Sequence, residues 1–159
     1  MDYAHACEIA DCRLHSMGGI GILVSKGCYQ SKILENRFKT IDAGAIAVNG
    51  QARPETWADI IRETLISFNR AEDCGGTTIS AYNTLFTTIS RNEITDNRGR
   101  YAISVGGWSN QEEAIDGGYR VEYNHCHNVQ KLADDSGVIK TAGLTYDSII
   151  RGNLIHEVK

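Results

Sequence analysis

A six-residue phrase that returns along the chain constrains the fold more than any other feature of the sequence. Its six copies are IADCRL at 9–14, ILENRF at 33–38, ISFNRA at 66–71, ISRNEI at 89–94, VEYNHC at 121–126 and IRGNLI at 150–155. The first copy is degenerate, because it carries Cys12 where the other five carry Asn. These six positions are 24, 33, 23, 32 and 29 residues apart. A repeat of this size, with short apolar alternations in each copy, indicates a solenoid in which each copy is one rung.

Each copy is followed by a second apolar alternation, which predicts a further strand. In the first rung Ile20, Ile22 and Val24 fall on one face of that strand. The equivalent pairs in the next rungs are Ile46 and Val48, Ile79 and Ala81, then, one residue late, Ile103 and Val105. In the fifth rung the strand is delayed by about five residues to the VIKT phrase at 138–141. The chain is therefore expected to be a coil of short parallel strands.

Two stretches exceed the minimum repeat and are interpreted as insertions. Residues 49–63 contain Trp57, Ile60 and Ile61 at helical spacing, so a short helix or an extended flap would fit. The second insertion, GGWSNQEEAIDGG at 106–118, is rich in turn residues and acids. No helical pattern of ten or more residues separates the strands, which argues against a doubly wound α/β sheet. We expect one domain over residues 1–159, either complete or an excerpt of a longer protein.

Composition excludes several classes of partner. A formal net charge of -4 argues against a nucleic-acid surface, and no apolar run approaches the roughly 18 residues of a membrane span. No signal peptide is visible at the start. The expected location is therefore cytoplasmic for a full-length chain and extracellular for an excerpt of a secreted protein. The five Cys are odd in number and lack metal spacing, so buried free thiols are expected, with Cys12 and Cys126 at ladder or inward positions.

Stacked rungs bring equivalent residues about 4.8 Å apart, so columns of neighbours can be listed from the repeat. The ladder column is expected to consist of structural turn residues, whose amides bond to each other and to backbone. It comprises Cys12, Asn36, Asn69, Asn92, Asn124 and Asn153. One residue later lies a column interpreted as a solvated face: Arg13, Arg37, Arg70, Glu93, His125 and Leu154.

Four residues past the ladder position, Asp73 and Asp96 are expected to be adjacent carboxylates. Adjacent carboxylates either raise one pKa or recruit a cation. A Ca²⁺ site here, or near Asp134, is a weaker alternative because no recognised loop motif is present. We expect no metal or other cofactor.

The repeat, a Gly turn and the following alternation together resemble the right-handed parallel β-helix, pectate-lyase-like superfamily over essentially the whole chain. That superfamily includes polysaccharide lyases, glycoside hydrolases, uronate epimerases and phage tailspikes. The resemblance implies an all-β, right-handed parallel β-helix, a solenoid of about six rungs with loop insertions. More narrowly, the phrases at 99–110 and 123–143 look like bacterial β-helix proteins related to β-xylosidase-type glycoside hydrolases.

The narrower resemblance rests on phrases that typically read N-H-I-H-D, S-D-G-G-G-I-Y-T and N-x-I-H-D. The matching positions in this chain are Asp135, Gly137, Ile139, Thr141, Asn153, Ile155, His156 and Glu157. The chain departs from the pattern at Ser136, Val138 and Lys140.

The acids near these phrases could perform glycoside hydrolysis. Retention of configuration needs two carboxyl groups about 5 to 5.5 Å apart, and inversion needs about 6.5 to 9.5 Å. Asp135 and Glu157 are 22 residues apart, close to one rung, and Asp134 is a rival for the first role. His127 and His156, stacked in neighbouring rungs, could hold or protonate one carboxyl group.

Trp108 is a candidate sugar-stacking platform and Trp57 a weaker one. The sequence therefore favours a carbohydrate-active protein, hydrolase or lyase, that acts on or binds a polysaccharide or glycoside. The alternative is a non-catalytic β-solenoid with a structural, adhesion or sugar-binding role. Exposed coil ends carry unpaired strand edges, from which we also expect a homo-oligomer.

Overall fold

The computed structural model describes residues 1–107, 115–130, 137–143 and 145–158. It confirms a right-handed parallel β-helix, in which three parallel sheets run along the coil. The first sheet has six strands: Glu8–Ala10, Lys32–Leu34, Leu65–Ser67, Thr88–Ser90, Arg120–Glu122 and Ile149–Arg151. The second sheet also has six: Arg13–Met17, Arg37–Ile41, Arg70–Cys74, Glu93–Thr95, His125–Val129 and Leu154–Val158. The third sheet has five: Ile22–Val24, Ile46–Asn49, Ile79–Tyr82, Ile103–Val105 and Ile139–Thr141.

The register of the third sheet agrees with the predicted offsets. Ile79 pairs with Ile103, although the latter lies one residue later in its rung, and Ile103 pairs with Ile139, which is delayed by five residues. The apolar side chains of neighbouring rungs therefore stay in line along one axis. Ile20 was wrongly expected on the inward face, because it lies in the turn before the strand and is 38% exposed.

The core consists of aliphatic columns contributed by all three sheets. Ile33, Ile66 and Ile89 of the first sheet are fully buried and stand directly above one another. Across the interior, Phe38 and Ile94 of the second sheet are also buried. Burial of one such side chain stabilises a fold by about 1.5–3 kcal/mol, so these columns are the main source of stability.

The Asn column forms a hydrogen-bonded ladder at the bend between the first and second sheets. The amide oxygen of Asn92 accepts from the backbone nitrogen of Asn69 at 2.9 Å and from its side-chain nitrogen at 3.0 Å. The side-chain nitrogen of Asn92 donates to the carbonyl oxygen of Ile66 and to Oδ1 of Asn124, both at 3.0 Å. Asn36 and Asn153 make equivalent bonds. The ladder thus satisfies buried backbone groups that a sharp bend would otherwise leave unpaired.

Backbone conformation recurs at three positions of every rung. The residues six before, one before and four after the ladder position have φ values between 51° and 66°. They are Ala6, Gln30, Glu63, Phe86, Gly118 and Asp147; Asp11, Glu35, Phe68, Arg91, Tyr123 and Gly152; and Ser16, Thr40, Asp73, Asp96, Asn128 and Glu157. Since this left-handed region costs a non-glycine residue about 1–2 kcal/mol, the bends are imposed by the stacking of rungs rather than chosen locally.

The insertion at 49–63 contains only a three-residue 3-10 helix, Trp57–Asp59, followed by the strand Ile61–Arg62. The strand pairs with Thr84–Leu85, so the stretch contains both a short helix and an extended segment, the two alternatives that its spacing left open. Its apolar residues instead turn inward, with Ile60 and Ile61 buried, while Trp57 is 60% exposed.

Asp59 ties this insertion to the N-terminal segment. Its carboxylate accepts from the hydroxyl of Tyr3 at 2.7 Å, lies 3.2 Å from Nζ of Lys26 and accepts from the hydroxyl of Thr56 at 2.8 Å. These donors, the Tyr3 hydroxyl above all, hold the pKa of Asp59 well below its usual range. The carboxylate form of Asp59 is therefore part of the folded structure.

The five cysteines are free thiols. Cys28, Cys74 and Cys126 are buried, and burial raises the pKa of Cys74 to about 11 and that of Cys126 to about 12. The expectation of burial is wrong for Cys12, which is exposed because it occupies the ladder position of the first rung. None of the helical segments in the described part of the chain has the length and apolar character needed to span a membrane.

Candidate functional site

The outer face of the second sheet carries several of the polar side chains that the sequence singles out, among them His127, His156 and the three arginines of the first three rungs. Its strands alternate between inward residues such as Phe38 and outward residues such as Arg37 and Lys39. Because all six strands are parallel and in register, each outward position forms a column along the coil. This face is therefore a flat, regular surface on which side chains from different rungs meet.

Three arginines form one end of this face. Arg13 pairs with Arg37, and Arg37 with Arg70, in adjacent strands, and all three are exposed. Within the described part of the chain, Arg13 and Arg37 have no carboxylate within ion-pair distance, whereas Nε of Arg70 lies 3.7 Å from Oε2 of Glu93. Like charges directly opposite one another repel, so this row favours an anion that bridges the guanidinium groups.

The bend beside the arginines carries exposed aromatic side chains. Phe68 is 56% and Tyr123 49% exposed, and both precede a ladder Asn. The guanidinium of Arg91 lies between them, 5.6 Å from the ring centroid of Phe68 and 5.7 Å from that of Tyr123. A groove of about 370 Å³ joins this edge to the arginines, and its lining combines Phe68, Arg37 and Arg70 with the acids Asp11, Glu35 and Glu93.

Histidines occupy the other end of the face. His127 pairs with His156 in the adjacent strand, and their rings stack with centroids 5.3 Å apart and an interplanar angle of 10°. The structure also brings in two residues that sequence reasoning placed in a solvated column, His125 and Glu93. Nε2 of His125 lies 2.9 Å from Nε2 of His156, and Nε2 of His127 lies 3.7 Å from Oε1 of Glu93. The signal for His125 was its spacing of two from His127, which puts both rings on one face of a strand.

Among the residues that the structure describes, no second carboxyl group of the proposed catalytic set lies beside Glu157. Glu157 is exposed, with its carboxylate 3.9 Å from Nδ1 of His156. Asp134, Asp135 and Trp108 lie outside the described residues. The carboxyl separation on which a retaining or inverting mechanism depends is therefore a prediction that rests on sequence spacing.

Asp73 and Asp96, considered for calcium, occupy equivalent positions of adjacent rungs but face nitrogen donors. Oδ1 of Asp73 lies 2.7 Å from Nε of Arg98, and Oδ1 of Asp96 accepts from Nδ2 of Asn128 at 2.6 Å. Calcium prefers a shell of oxygen ligands, so an arginine on one of the two carboxylates disfavours a shared cation there.

Sequence reasoning missed one buried acid, Asp116, which lies away from the second sheet. Its carboxylate accepts hydrogen bonds from the hydroxyl of Tyr119 and from the backbone nitrogen of Gly107. Burial raises the pKa of Asp116, and burial beside this carboxyl group raises that of Tyr119 as well. The phrase AIDGGY gives no sign of this pair, because acids followed by glycines usually belong to solvated turns.

Comparisons with known proteins bear on the whole coil. The model of the family described as "Right handed beta helix region" matches residues 1–159. Comparison with curated proteins gave no match, and neither did comparison with solved structures. The matched range includes every strand of the three sheets and the polar face described above.

Proposed function

Because the chain belongs to the right-handed β-helix family, we propose that it binds carbohydrate, and that an acidic polysaccharide lies along the outer face of its second sheet. The observation that carries the proposal is the row of Arg13, Arg37 and Arg70, in register on adjacent strands. The fold itself supports many functions, so the argument depends on this surface.

The arginine row matches the chemistry of a polyuronate. A guanidinium group presents donors in a fixed fork that binds a carboxylate through two hydrogen bonds. The backbones of adjacent rungs lie about 4.8 Å apart, so one extended polymer can contact the guanidinium groups of several rungs. A polyanion also removes the repulsion between Arg13 and Arg37, which have no carboxylate partner among the described residues.

The aromatic edge supplies the second requirement, a surface for the apolar faces of sugar rings. Phe68 and Tyr123 are exposed and lie two rungs apart. Aromatic side chains provide apolar contact at low conformational cost, and polar groups beside them fix orientation. A groove connects Phe68 with Arg37 and Arg70, so one ligand can touch both kinds of surface. Asp11, Glu35 and Glu93 line the same groove, so its charge is mixed and the support for an acidic ligand comes from the arginine row.

Binding to polygalacturonate and to a neutral dextran, measured by affinity electrophoresis and calorimetry, tests the proposal. We expect binding to the polyuronate alone, weakened by added salt, since exposed ionic contacts are screened. Arg37→Ala should weaken binding by about 10- to 100-fold, because a hydrogen bond to a charged group contributes about 1.5–3 kcal/mol. Lys32→Ala is the matched control, since it removes one exposed positive charge from the first sheet. Equal affinity for dextran, or equal losses in both variants, would refute this assignment.

Catalysis is a second candidate, favoured by the stacked His127 and His156 beside Glu157. Under the relationship to β-xylosidase-type glycoside hydrolases, Asp135 and Glu157 supply the two carboxyl groups, with Asp134 as the rival and Trp108 as the sugar platform. Lyase chemistry on the same polyuronate is the alternative reaction.

Catalysis is tested with aryl glycosides and with the absorbance of unsaturated uronate products. Activity that is lost in Asp135→Asn and Glu157→Gln, but kept in Glu63→Gln, supports the enzyme. Absence of turnover on all substrates, with polyuronate binding retained, leaves the binding module as the function.

A further inference from the structure

Four metal-binding side chains from three consecutive rungs meet on the outer face of the second sheet. Glu93 lies in the strand Glu93–Thr95, His125 and His127 in His125–Val129, and His156 in Leu154–Val158. These strands are neighbours, with Glu93 opposite His125 and His127 opposite His156. We call this group the histidine cluster.

The donor atoms of the histidine cluster converge. The ligand atoms of Glu93, His125 and His127 all lie within 4.8 Å of one another. Nε2 of His156 approaches Nε2 of His125 to 2.9 Å, so two ring nitrogens point at one another rather than at a carboxylate or carbonyl group. The three rings have centroids 4.6, 5.1 and 5.3 Å apart. A single cation bound between these nitrogens would replace the weak contacts that they make with one another.

We propose that the histidine cluster binds one divalent transition metal ion of the zinc type, with Glu93, His125 and His127 as ligands and His156 as the fourth. Imidazole suits Zn, Cu, Fe and Ni, whereas Mg and Ca take oxygen ligands. Zinc binds imidazole nitrogen at about 2.0–2.1 Å and carboxylate oxygen at about 2.0–2.2 Å, commonly in a tetrahedron. Glu93, His125 and His127 are half-buried and His156 is exposed, so none of the four side chains is enclosed by the core.

Neighbouring charges support the same ligand assignment. The Glu93 carboxylate presents Oε1 to His127 and Oε2 to Nε of Arg70, so one oxygen is directed at the cluster while the other is held by a cation. Nδ1 of His156 lies 3.9 Å from Glu157, which can orient the ring when Nε2 binds the metal. Carboxylates in that outer position tune ligating histidines.

The metal would join the fourth, fifth and sixth rungs along one face of the coil. Its ligands come from strands that otherwise contact each other through ladder hydrogen bonds and the core. A folded chain that holds the ion more tightly than the unfolded chain is stabilised by it. Neither the arginine row nor the aromatic edge supplies a ligand, although Arg70 contacts Glu93, so loss of metal binding and loss of polyuronate binding are distinguishable. His127 and His156 serve here as metal ligands and not as the acid or base of the catalytic candidate.

Titration of chelator-treated, metal-free protein with Zn²⁺, followed by calorimetry, tests the site directly. We expect one ion per chain, a rise in melting temperature on addition of Zn²⁺, and no comparable effect of Ca²⁺. Substitution with Co²⁺ should give the visible absorption of a tetrahedral site. His125→Ala and His127→Ala should each weaken binding by more than about tenfold, the loss that even outer ligands can cause.

His15→Ala is the matched control, because His15 occupies the same outward column as His127 in the first rung, far from the cluster in rung order. Its affinity and stoichiometry should equal those of the unchanged chain. Circular dichroism establishes that each variant is folded. The proposal is wrong if Zn²⁺ fails to saturate at one equivalent, or if one equivalent still binds equally well after His125→Ala and His127→Ala.

Discussion

Replacement of Asn92 by alanine tests whether the Asn ladder holds the rungs together. The Asn92 side chain is 1% exposed and makes four hydrogen bonds, to Asn69, Asn124 and the carbonyl oxygen of Ile66. Asn92→Ala leaves the buried backbone N–H of Asn69 without this acceptor, which costs about 1–3 kcal/mol. The other three bonds contribute about 1 kcal/mol each. We expect a total loss of about 4–6 kcal/mol, a large share of the 5–15 kcal/mol typical of a folded protein.

Urea denaturation followed by circular dichroism gives both the free energy of unfolding and the m value. An unchanged m value shows that the substitution alters stability rather than the extent of unfolding. Cys12→Ala is the control at the same ladder position, because the thiol of Cys12 bonds to Ala10 and makes no bond to the ladder. It should cost less than about 1 kcal/mol. If Asn92→Ala costs no more than Cys12→Ala, the ladder amides are replaceable by solvent and the reasoning fails.

Four further expectations follow from described contacts. The pKa of Asp59 is lowered in the folded chain, so its contribution to stability is present above the unfolded pKa of about 3.9 and is lost as pH falls. Acid should therefore destabilise Asp59→Asn less than the unchanged chain, as measured by denaturant unfolding at several pH values. Thr40 is β-branched at a φ of 55°, and Thr40→Asn should raise the free energy of unfolding by up to about 1 kcal/mol, as measured in urea. Cys12 should react with a thiol reagent in the native state and Cys126 only after unfolding, a result that mass spectrometry would locate. Light scattering at tens of micromolar should show self-association that Ile155→Lys reduces, since Ile155 is 40% exposed beside an apolar groove of about 480 Å³; a monomer throughout would contradict it.

The fold could be predicted from sequence because one physical requirement recurs in every rung. An aliphatic residue must face the axis three positions before the ladder residue, and an amide must satisfy the bend, so Ile66 and Asn69 reappear as Ile89 and Asn92. A fixed period of this kind survives insertions, since surplus residues leave the coil and return to the same register. The strand at Ile139 could be aligned for that reason despite its delay.

The bends could not be predicted, because their residues carry no common chemical signature. Phe68, Glu35 and Arg91 all adopt positive φ, although such conformations are usually read from Gly or Asn. Their conformation is fixed by the rungs above and below, which single-sequence propensity does not contain. The spacing around Trp57 left a short helix and an extended flap open, and the structure contains a 3-10 helix at Trp57–Asp59 followed by the strand Ile61–Arg62, with Ile60 and Ile61 buried under the coil.

The candidate site was only partly predictable, because it draws on two columns at once. His127 and His156 share one column of the repeat, which predicts that they are neighbours, and the structure pairs them in adjacent strands. The repeat assigns Glu93 and His125 to a separate, solvated column, although outward side chains of adjacent columns on one strand face are neighbours. The columns one and three residues past the ladder position lie side by side, so Glu93, His125, His127 and His156 are neighbours.

The repeated left-handed bends also give the surface of the coil a fixed spacing. The bend before the ladder position presents exposed side chains at the same height of successive rungs, as with Phe68, Arg91 and Tyr123, so the backbone sets the spacing of these positions. An evolving surface can therefore exchange one residue for another at these points without altering the pitch at which they are presented. A linear polymer aligned with the axis would meet these positions at intervals of about 4.8 Å, a scale against which successive monomers can be matched.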